Sequence, residues 1–101
     1  MSNTPSSTVS VGTSATQLTT TDPRRKVVYL TNDGSVTVYV GDANVTTTAY
    51  LFKIAAGEEV QVTPGIYEDP LPAYPLFGRV ASGTASVSVG QVLGYPRTYV
   101  N

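Results

Sequence analysis

The amino-acid sequence predicts a small all-β protein: an antiparallel, jelly-roll-like β-sandwich or barrel-like sandwich of about eight short strands. Alternating apolar and polar runs recur roughly every ten residues, which is the spacing of sandwich strands. Gly, Pro and Asp separate these runs. No segment carries the i, i+3, i+4, i+7 pattern over a helical length. With 101 residues, the chain is long enough for one domain with one modest core.

The first half of the chain contains four predicted strands, at residues 8–11, 15–18, 26–32 and 35–41. The last two are alternating runs on either side of Asp33-Gly34, and this is the strongest local signal for a hairpin. We therefore predict that residues 26–41 form a β-hairpin closed at Asp33-Gly34. Its valines alternate and should form a buried face.

The second half contains four more predicted strands, at residues 50–54, 59–63, 76–81 and 85–92. Turns are expected at residues 55–58 and 82–84, each of which contains a glycine. Residues 66–75 contain three prolines and two tyrosines, which is typical of an irregular or edge segment. Three parts follow: a flexible N-terminal arm at 1–7, a β-sandwich domain at 8–92, and a C-terminal tail at 93–101.

Composition excludes several classes of function. The net charge is −1 and the basic residues are scattered outside residues 24–26, so we expect no binding to nucleic acid. No apolar run reaches the roughly 20 residues of a membrane span, and the polar start lacks a signal-peptide pattern. We therefore expect a chain that is made in the cytoplasm and has no membrane partner.

Catalytic and metal-binding residue types are also scarce. Histidine and cysteine are absent, which removes the usual general base and the usual transition-metal ligands. The paired carboxylates Glu58-Glu59 and Glu68-Asp69 would point to opposite faces of a strand, so we assign them to turns and surfaces. Asp33 and Asp42 lie beside glycines in predicted turns, where we expect each Asp side chain to cap its own backbone. Residues 42–44 lack the spacing of a calcium loop. We predict that the chain is not an enzyme and binds neither a cofactor nor a metal.

Two groups of residues are candidates for contacts with other proteins. Exposed tyrosines beside prolines give rigid contact area at low entropic cost, although local packing is an equal alternative for them. The aromatic residues within predicted strands are instead expected in the core or in cross-strand pairs: Tyr29, Tyr39, Tyr50 and Phe52. A short basic run offers a patch for a phosphate or an acidic partner, or else a solvated loop before a strand. The candidate interface residues are Tyr67, Tyr74, Tyr95, Tyr99, Arg24 and Arg25.

The segment VSVGTSATQL at residues 9–18 resembles the opening of many small tailed-phage virion proteins, which begin V-x-V-G-T-x-A-T-x-L. The likeness extends from Thr8 to Val92. It includes RKVVYL at 25–30, TNDG at 31–34, VYVG at 38–41, NVT at 44–46, AGE at 56–58 and RVASGTASVSV at 79–89. The resemblance implies a β-sandwich of the head-decoration, head-fibre and tail-associated proteins, which are often trimeric. Residues 66–75 and the tail after Val92 extend beyond the usual pattern.

The resemblance and the low charged fraction of 13% together favour a structural role. We expect a capsid decoration (cement) protein that binds the major capsid protein on the outer head shell and stabilises the shell. It would form a homotrimer on the virion surface after synthesis in the host cytoplasm. A head-fibre base and a tail or receptor-binding module remain alternatives within the virion. A carbohydrate-binding or carbohydrate-cleaving β-domain is the alternative from another class.

Overall fold

The structure is a computed structural model that describes residues 6–20, 25–62 and 75–93. Within these ranges the chain forms eight β-strands and no helix, which confirms the all-β prediction. The strands are β1 (Ser6–Val11), β2 (Thr16–Gln17), β3 (Arg25–Asn32), β4 (Val38–Gly41), β5 (Phe52–Ile54), β6 (Glu59–Val62), β7 (Phe77–Val80) and β8 (Ala85–Leu93).

The strands form two antiparallel sheets of four. Sheet I has the order β1-β8-β3-β6, and sheet II has the order β2-β7-β4-β5. The strands pair from the ends of the chain towards its middle: β1 pairs with β8, β2 with β7, β3 with β6, and β4 with β5. This nested pairing, divided between two sheets, is the topology of a jelly roll.

The core lies between the two sheets and consists mainly of valine. Alternate residues of each strand face inward, and β-branched side chains suit such half-buried strands. Each fully buried aliphatic side chain contributes about 1.5–3 kcal/mol relative to its exposed state. The buried apolar cluster is Val11, Leu18, Val28, Leu30, Val38, Val40, Ile54, Val62, Leu76, Val80, Ala85, Val87 and Val89.

The predicted hairpin over residues 26–41 is wrong. Strands β3 and β4 lie in different sheets: β3 pairs with β6 and β8, whereas β4 pairs with β5 and β7. Strand β4 also begins only at Val38, so residues 33–37 form a crossover between the sheets. The Asp-Gly pair marks a change of direction, as predicted, but the chain turns from one sheet to the other.

Asn32 explains this crossover. Its side chain is fully buried, and Nδ2 donates hydrogen bonds to the carbonyl oxygens of Val36 (2.7 Å) and Ile54 (2.9 Å). Its Oδ1 accepts a hydrogen bond from the backbone N–H of Gly34 (2.9 Å). A Cβ atom at Gly34 would lie 2.7 Å from Cβ of Ala85, so close approach of the crossover to β8 requires glycine there. One side chain thus takes the place of the backbone ladder that a hairpin would have had.

The other two predicted turns are confirmed. The backbone N–H of Glu58 donates to the carbonyl oxygen of Ala55 (2.9 Å), and Gly57 has a φ of 78°. Gly83 has a φ of 75° in the turn between β7 and β8. Both glycines lie in the left-handed region, which other residues rarely adopt.

The boundaries of the three predicted parts differ slightly from the strands. Ser6 and Ser7 of the predicted arm belong to β1, and Leu93 of the predicted tail belongs to β8. Residues 1–5, 21–24, 63–74 and 94–101 lie outside the described residues. The predicted irregular segment at 66–75 falls almost wholly within one of these gaps.

Candidate functional site

The outer face of sheet I carries small hydroxyl side chains along β1 and the first part of β8. The outward residues there are Thr8, Ser10, Ser86 and Ser88. On β3, Tyr29 is partly buried and packs over Gly90 of β8. A Cβ atom added to Gly90 would lie 3.7 Å from Cβ of Tyr29. The larger outward side chains of sheet I lie on β3, β6 and the end of β8, where Tyr29 is opposite Gln61 and Val27 is opposite Val92. The β1 side of this face therefore offers few large side chains to a partner.

Sheet II presents a different outer face. Tyr39 on β4 lies directly opposite Arg79 on β7 and Lys53 on β5. Residues that are opposite each other in an antiparallel pair share a face, so these three side chains form a row across the sheet. The four strands of sheet II contain these two basic residues and no acidic residue.

A second tyrosine extends this row towards the end of the sheet. The ring centroids of Tyr39 and Tyr50 are 5.0 Å apart with an interplanar angle of 61°, which is the favourable edge-to-face arrangement. Tyr50 is 40% exposed and the adjacent Leu51 is 58% exposed. In the part of the chain that the structure describes, these two are the exposed large hydrophobic side chains. We call Tyr39, Tyr50, Leu51, Lys53 and Arg79 the tyrosine face.

Arg79 contributes a half-buried positive charge to the tyrosine face. Its Nε is buried and has no hydrogen-bond partner within the described ranges. A buried donor without an acceptor costs about 1–3 kcal/mol, and more where the group is charged. Because Nε has no accessible surface, a binding partner cannot reach it directly. The charge of the half-buried Arg79 side chain still favours a carboxylate on the surface of a partner.

A cleft of about 400 Å³ adjoins the tyrosine face. Its lining combines an aromatic ring and aliphatic groups with a carboxylate and an amide. The lining residues are Gly41, Asp42, Asn44, Ala49, Tyr50 and Leu51.

Internal hydrogen bonds fix the loop that forms this cleft. Oδ1 of Asp42 accepts from the backbone N–H of Asn44 (2.8 Å), so Asp42 has the turn role that the sequence predicts. Oγ1 of Thr46 accepts from the backbone N–H of Ala49 (2.9 Å). Val45 is buried beneath the loop against Gly41, whose added Cβ would lie 3.1 Å from a methyl carbon of Val45. The loop is therefore anchored before any partner binds.

Of the predicted interface residues, the structure places Arg25 alone. Tyr67, Tyr74, Tyr95, Tyr99 and Arg24 lie outside the described residues. Arg25 is not in a solvated loop, as one of the two sequence interpretations had it: it is the first residue of β3 and only 5% exposed. Its Nε donates a hydrogen bond to the Gln91 side chain.

A β-bulge explains the burial of Arg25. Arg25 is opposite Leu93, whereas Val27 is opposite Val92, so one extra residue lies on β3 between these two pairs. An extra residue reverses the alternation of the strand. Arg25 consequently shares the inner side of sheet I with Gln91 instead of pointing to solvent with Tyr29.

The described carboxylates have structural partners. Glu58 accepts from the backbone N–H of Ala55 (2.8 Å), and Glu59 accepts from Oγ1 of Thr31 (3.3 Å). Asp33 accepts a hydrogen bond from the Ser88 hydroxyl instead of capping its own turn. No group of three or more carboxylates that could hold a metal ion occurs within the described ranges.

The sequence interpretation missed the exposure of Tyr50 and Leu51. It assigned Tyr39, Tyr50 and Phe52 to the core or to cross-strand pairs, and the contact between Tyr39 and Tyr50 agrees with that. The missed signal is the run Tyr50-Leu51-Phe52, since three consecutive large apolar residues cannot all face one core. Phe52 alone packs against the buried cluster.

Comparisons with protein-family models, with curated proteins and with solved structures found no match to the chain. None of the described residues forms an apolar helix of membrane-spanning length. The class that the coordinates define is a jelly-roll β-sandwich with one aromatic and cationic outer face.

Proposed function

We propose that the chain is a capsid decoration protein, a virion structural protein that binds the major capsid protein on the outer head shell and stabilises the shell. The tyrosine face is the observation that carries this proposal, because it combines exposed apolar area with two basic side chains. The resemblance of residues 8–92 to small tailed-phage virion proteins supports the viral setting.

The composition of the tyrosine face suits attachment to a protein. Tyrosine and arginine are enriched among the residues that dominate binding energy at interfaces. The anchored loop beneath Tyr50 and Leu51 lowers the ordering cost of binding. Because sheet II contains basic residues but no acidic ones, the complementary capsid surface should contain carboxylates.

The wider proposal keeps the features that the resemblance implies. The protein acts as a homotrimer on the capsid surface, without catalysis or a cofactor, after synthesis in the host cytoplasm. Tyr67, Tyr74, Tyr95 and Tyr99 add contacts from segments outside the described residues. A head-fibre base or a tail module would use the same kind of protein-binding face, and an image of the virion with the protein located in it distinguishes these positions.

A second candidate function is carbohydrate binding, and the cleft beside Tyr50 favours it. A tyrosine ring next to a carboxylate and an amide provides an apolar platform with hydrogen-bonding groups at its rim, as small-molecule sites do. Asn44 belongs to the cleft but not to the tyrosine face, so it separates the two functions. The variant Asn44→Ala should abolish binding on a glycan array and leave capsid binding unchanged if the cleft binds sugar.

Co-sedimentation with capsids that lack the protein tests the main proposal. Truncating a central interface tyrosine typically costs about 1–2 kcal/mol or more, so Tyr50→Ala should weaken capsid binding about tenfold. Tyr29→Ala is the matched control, because Tyr29 is a partly buried tyrosine on the opposite outer face. Equal affinity of the Tyr50→Ala variant and the wild-type protein, with both folded, would refute attachment through the tyrosine face.

A further inference from the structure

Four strands form the edges of the two sheets, and one of them lacks the usual protection against pairing with another chain. Short length and charged residues blunt an edge. Strand β2 has two residues, β5 has three and contains Lys53, and β6 has four and begins with Glu59. Strand β1 has six residues, SSTVSV, without a charge or a proline, and its register with β8 has no irregularity.

The backbone direction of β1 follows from a hydrogen bond on the other side of β8. The backbone N–H of Asp33 donates to the carbonyl oxygen of Ser86 (2.8 Å), so the backbone groups of Ser86 point towards β3. Ser10 is opposite Ser86 and therefore forms a pair without hydrogen bonds to β8. By alternation, the backbone N–H and C=O groups of Ser6, Thr8 and Ser10 all point away from β8, in the plane of the sheet and towards its open edge. Among the described strands none lies on that side of β1.

We propose that two copies of this chain associate by antiparallel pairing of their β1 strands around a two-fold axis, with Thr8 opposite Thr8 of the second copy. The two copies of sheet I then form one continuous eight-stranded sheet. In this register Ser6 is opposite Ser10 of the second copy, so all the edge-facing backbone groups of β1 form hydrogen bonds with the second copy. A two-fold axis centred on Val9 instead would leave the backbone of Ser6 without a hydrogen-bonding partner.

Strand β1 can pair with an identical strand without a clash of charge, and for this reason we infer that its partner is a second copy of the chain. Uncharged residues face one another throughout, and opposed threonines are a favourable cross-strand pair. The partly buried Val9 lies near the open edge, and Ser7 and Val9 of the second copy would cover it. Strand β5, by contrast, would place Lys53 opposite Lys53 of the second copy if it paired in this way, and like charges directly opposite are destabilising.

This contact is independent of the proposed function, and its two-fold symmetry differs from the three-fold arrangement that the resemblance implies. Sedimentation equilibrium of the free protein should give twice the chain mass of 10.6 kDa. Thr8→Lys should shift the mass to that of one chain at low salt, because the two lysines would be opposed, and salt should partly restore the dimer. Mixing the Thr8→Lys and Thr8→Glu variants should restore twice the chain mass.

Proline variants supply a matched control. Thr8→Pro removes an outward N–H of β1 without removing a bond to β8, so it should abolish the dimer while circular dichroism stays unchanged. Gln61→Pro removes an N–H that points away from β3 at the opposite edge of sheet I, on β6. This variant should leave the dimer intact. A wild-type chain that remains monomeric, or an oligomer that survives both Thr8→Lys and Thr8→Pro, overturns the proposal. So does a failure of the lysine and glutamate variants to associate.

Discussion

The two sheets contribute similar residues to the core but present very different outer surfaces. Inside, both supply buried valines, such as Val87 from sheet I and Val38 from sheet II. Outside, β1 and the first part of β8 in sheet I present serine and threonine, whereas sheet II presents the tyrosine face. Because the strand period is two, one set of residues can be selected for folding and the alternate set for binding. In the proposed role, the chain would thus separate stability from recognition within the same strands.

The largest effect should come from the residue that joins the two sheets. Asn32→Ala removes two donors and one acceptor from a buried crossover, and each orphaned polar group costs about 1–3 kcal/mol. We expect a loss of about 3 kcal/mol or more in the free energy of unfolding, measured with urea. Asn44→Ala, at an exposed site, should stay within about 0.5 kcal/mol of the wild type. A loss below about 1 kcal/mol for Asn32→Ala would mean that the crossover forms without this side chain.

Truncation of a core valine should cost the same in either sheet. Val87→Ala and Val38→Ala each remove two methyl groups from a fully buried position, so each should lower the free energy of unfolding by about 2 kcal/mol. Binding to capsids by the folded fraction should be unaffected. If the two costs differ by more than about 1 kcal/mol, the sheets do not contribute equally to the core, and the contrast between them extends inward.

The smallest expected effect is the coupling between the two tyrosines of the tyrosine face. A double-mutant cycle with Tyr39→Ala and Tyr50→Ala should give a coupling of about 0.5–1.5 kcal/mol in the free energy of unfolding, measured by thermal denaturation. Edge-to-face aromatic pairs give couplings of this size. The control cycle uses Tyr39→Ala and Tyr29→Ala on opposite outer faces, and it should be additive within about 0.5 kcal/mol. Additivity in both cycles would show that the aromatic contact does not hold the loop in place.

Local pattern predicts which residues form strands but not which strands pair. Alternating valines located β1, β4 and β8 because burial on one face imposes a period of two. The Asp33-Gly34 signal failed because the deciding contacts join Asn32 to Ile54 and Gly34 to Ala85, which are distant in sequence. A local turn signal contains no information about these contacts.

The candidate site was less predictable than the fold. The reversal of Arg25 depends on a single extra residue in β3, and nothing in the composition of the strand announces a bulge. The tyrosine face depends on which residues of β4, β5 and β7 are neighbours, and the register supplies this information. The sequence-based interpretation therefore favoured tyrosines beside prolines, whereas the described surface brings Tyr39 of β4 into contact with Tyr50 of the loop before β5.

The nested strand pairing also has a kinetic consequence. The cost of closing a loop rises with its length, so the β4–β5 pair closes at the least entropic cost and the β1–β8 pair at the greatest. Chains dominated by such distant pairings fold slowly, on a scale of milliseconds to seconds. Until β1 arrives, one edge of the nine-residue β8 is open, and this strand contains Val87 and Val89 of the core. At high concentration, partly folded chains should therefore associate first through the edge of β8.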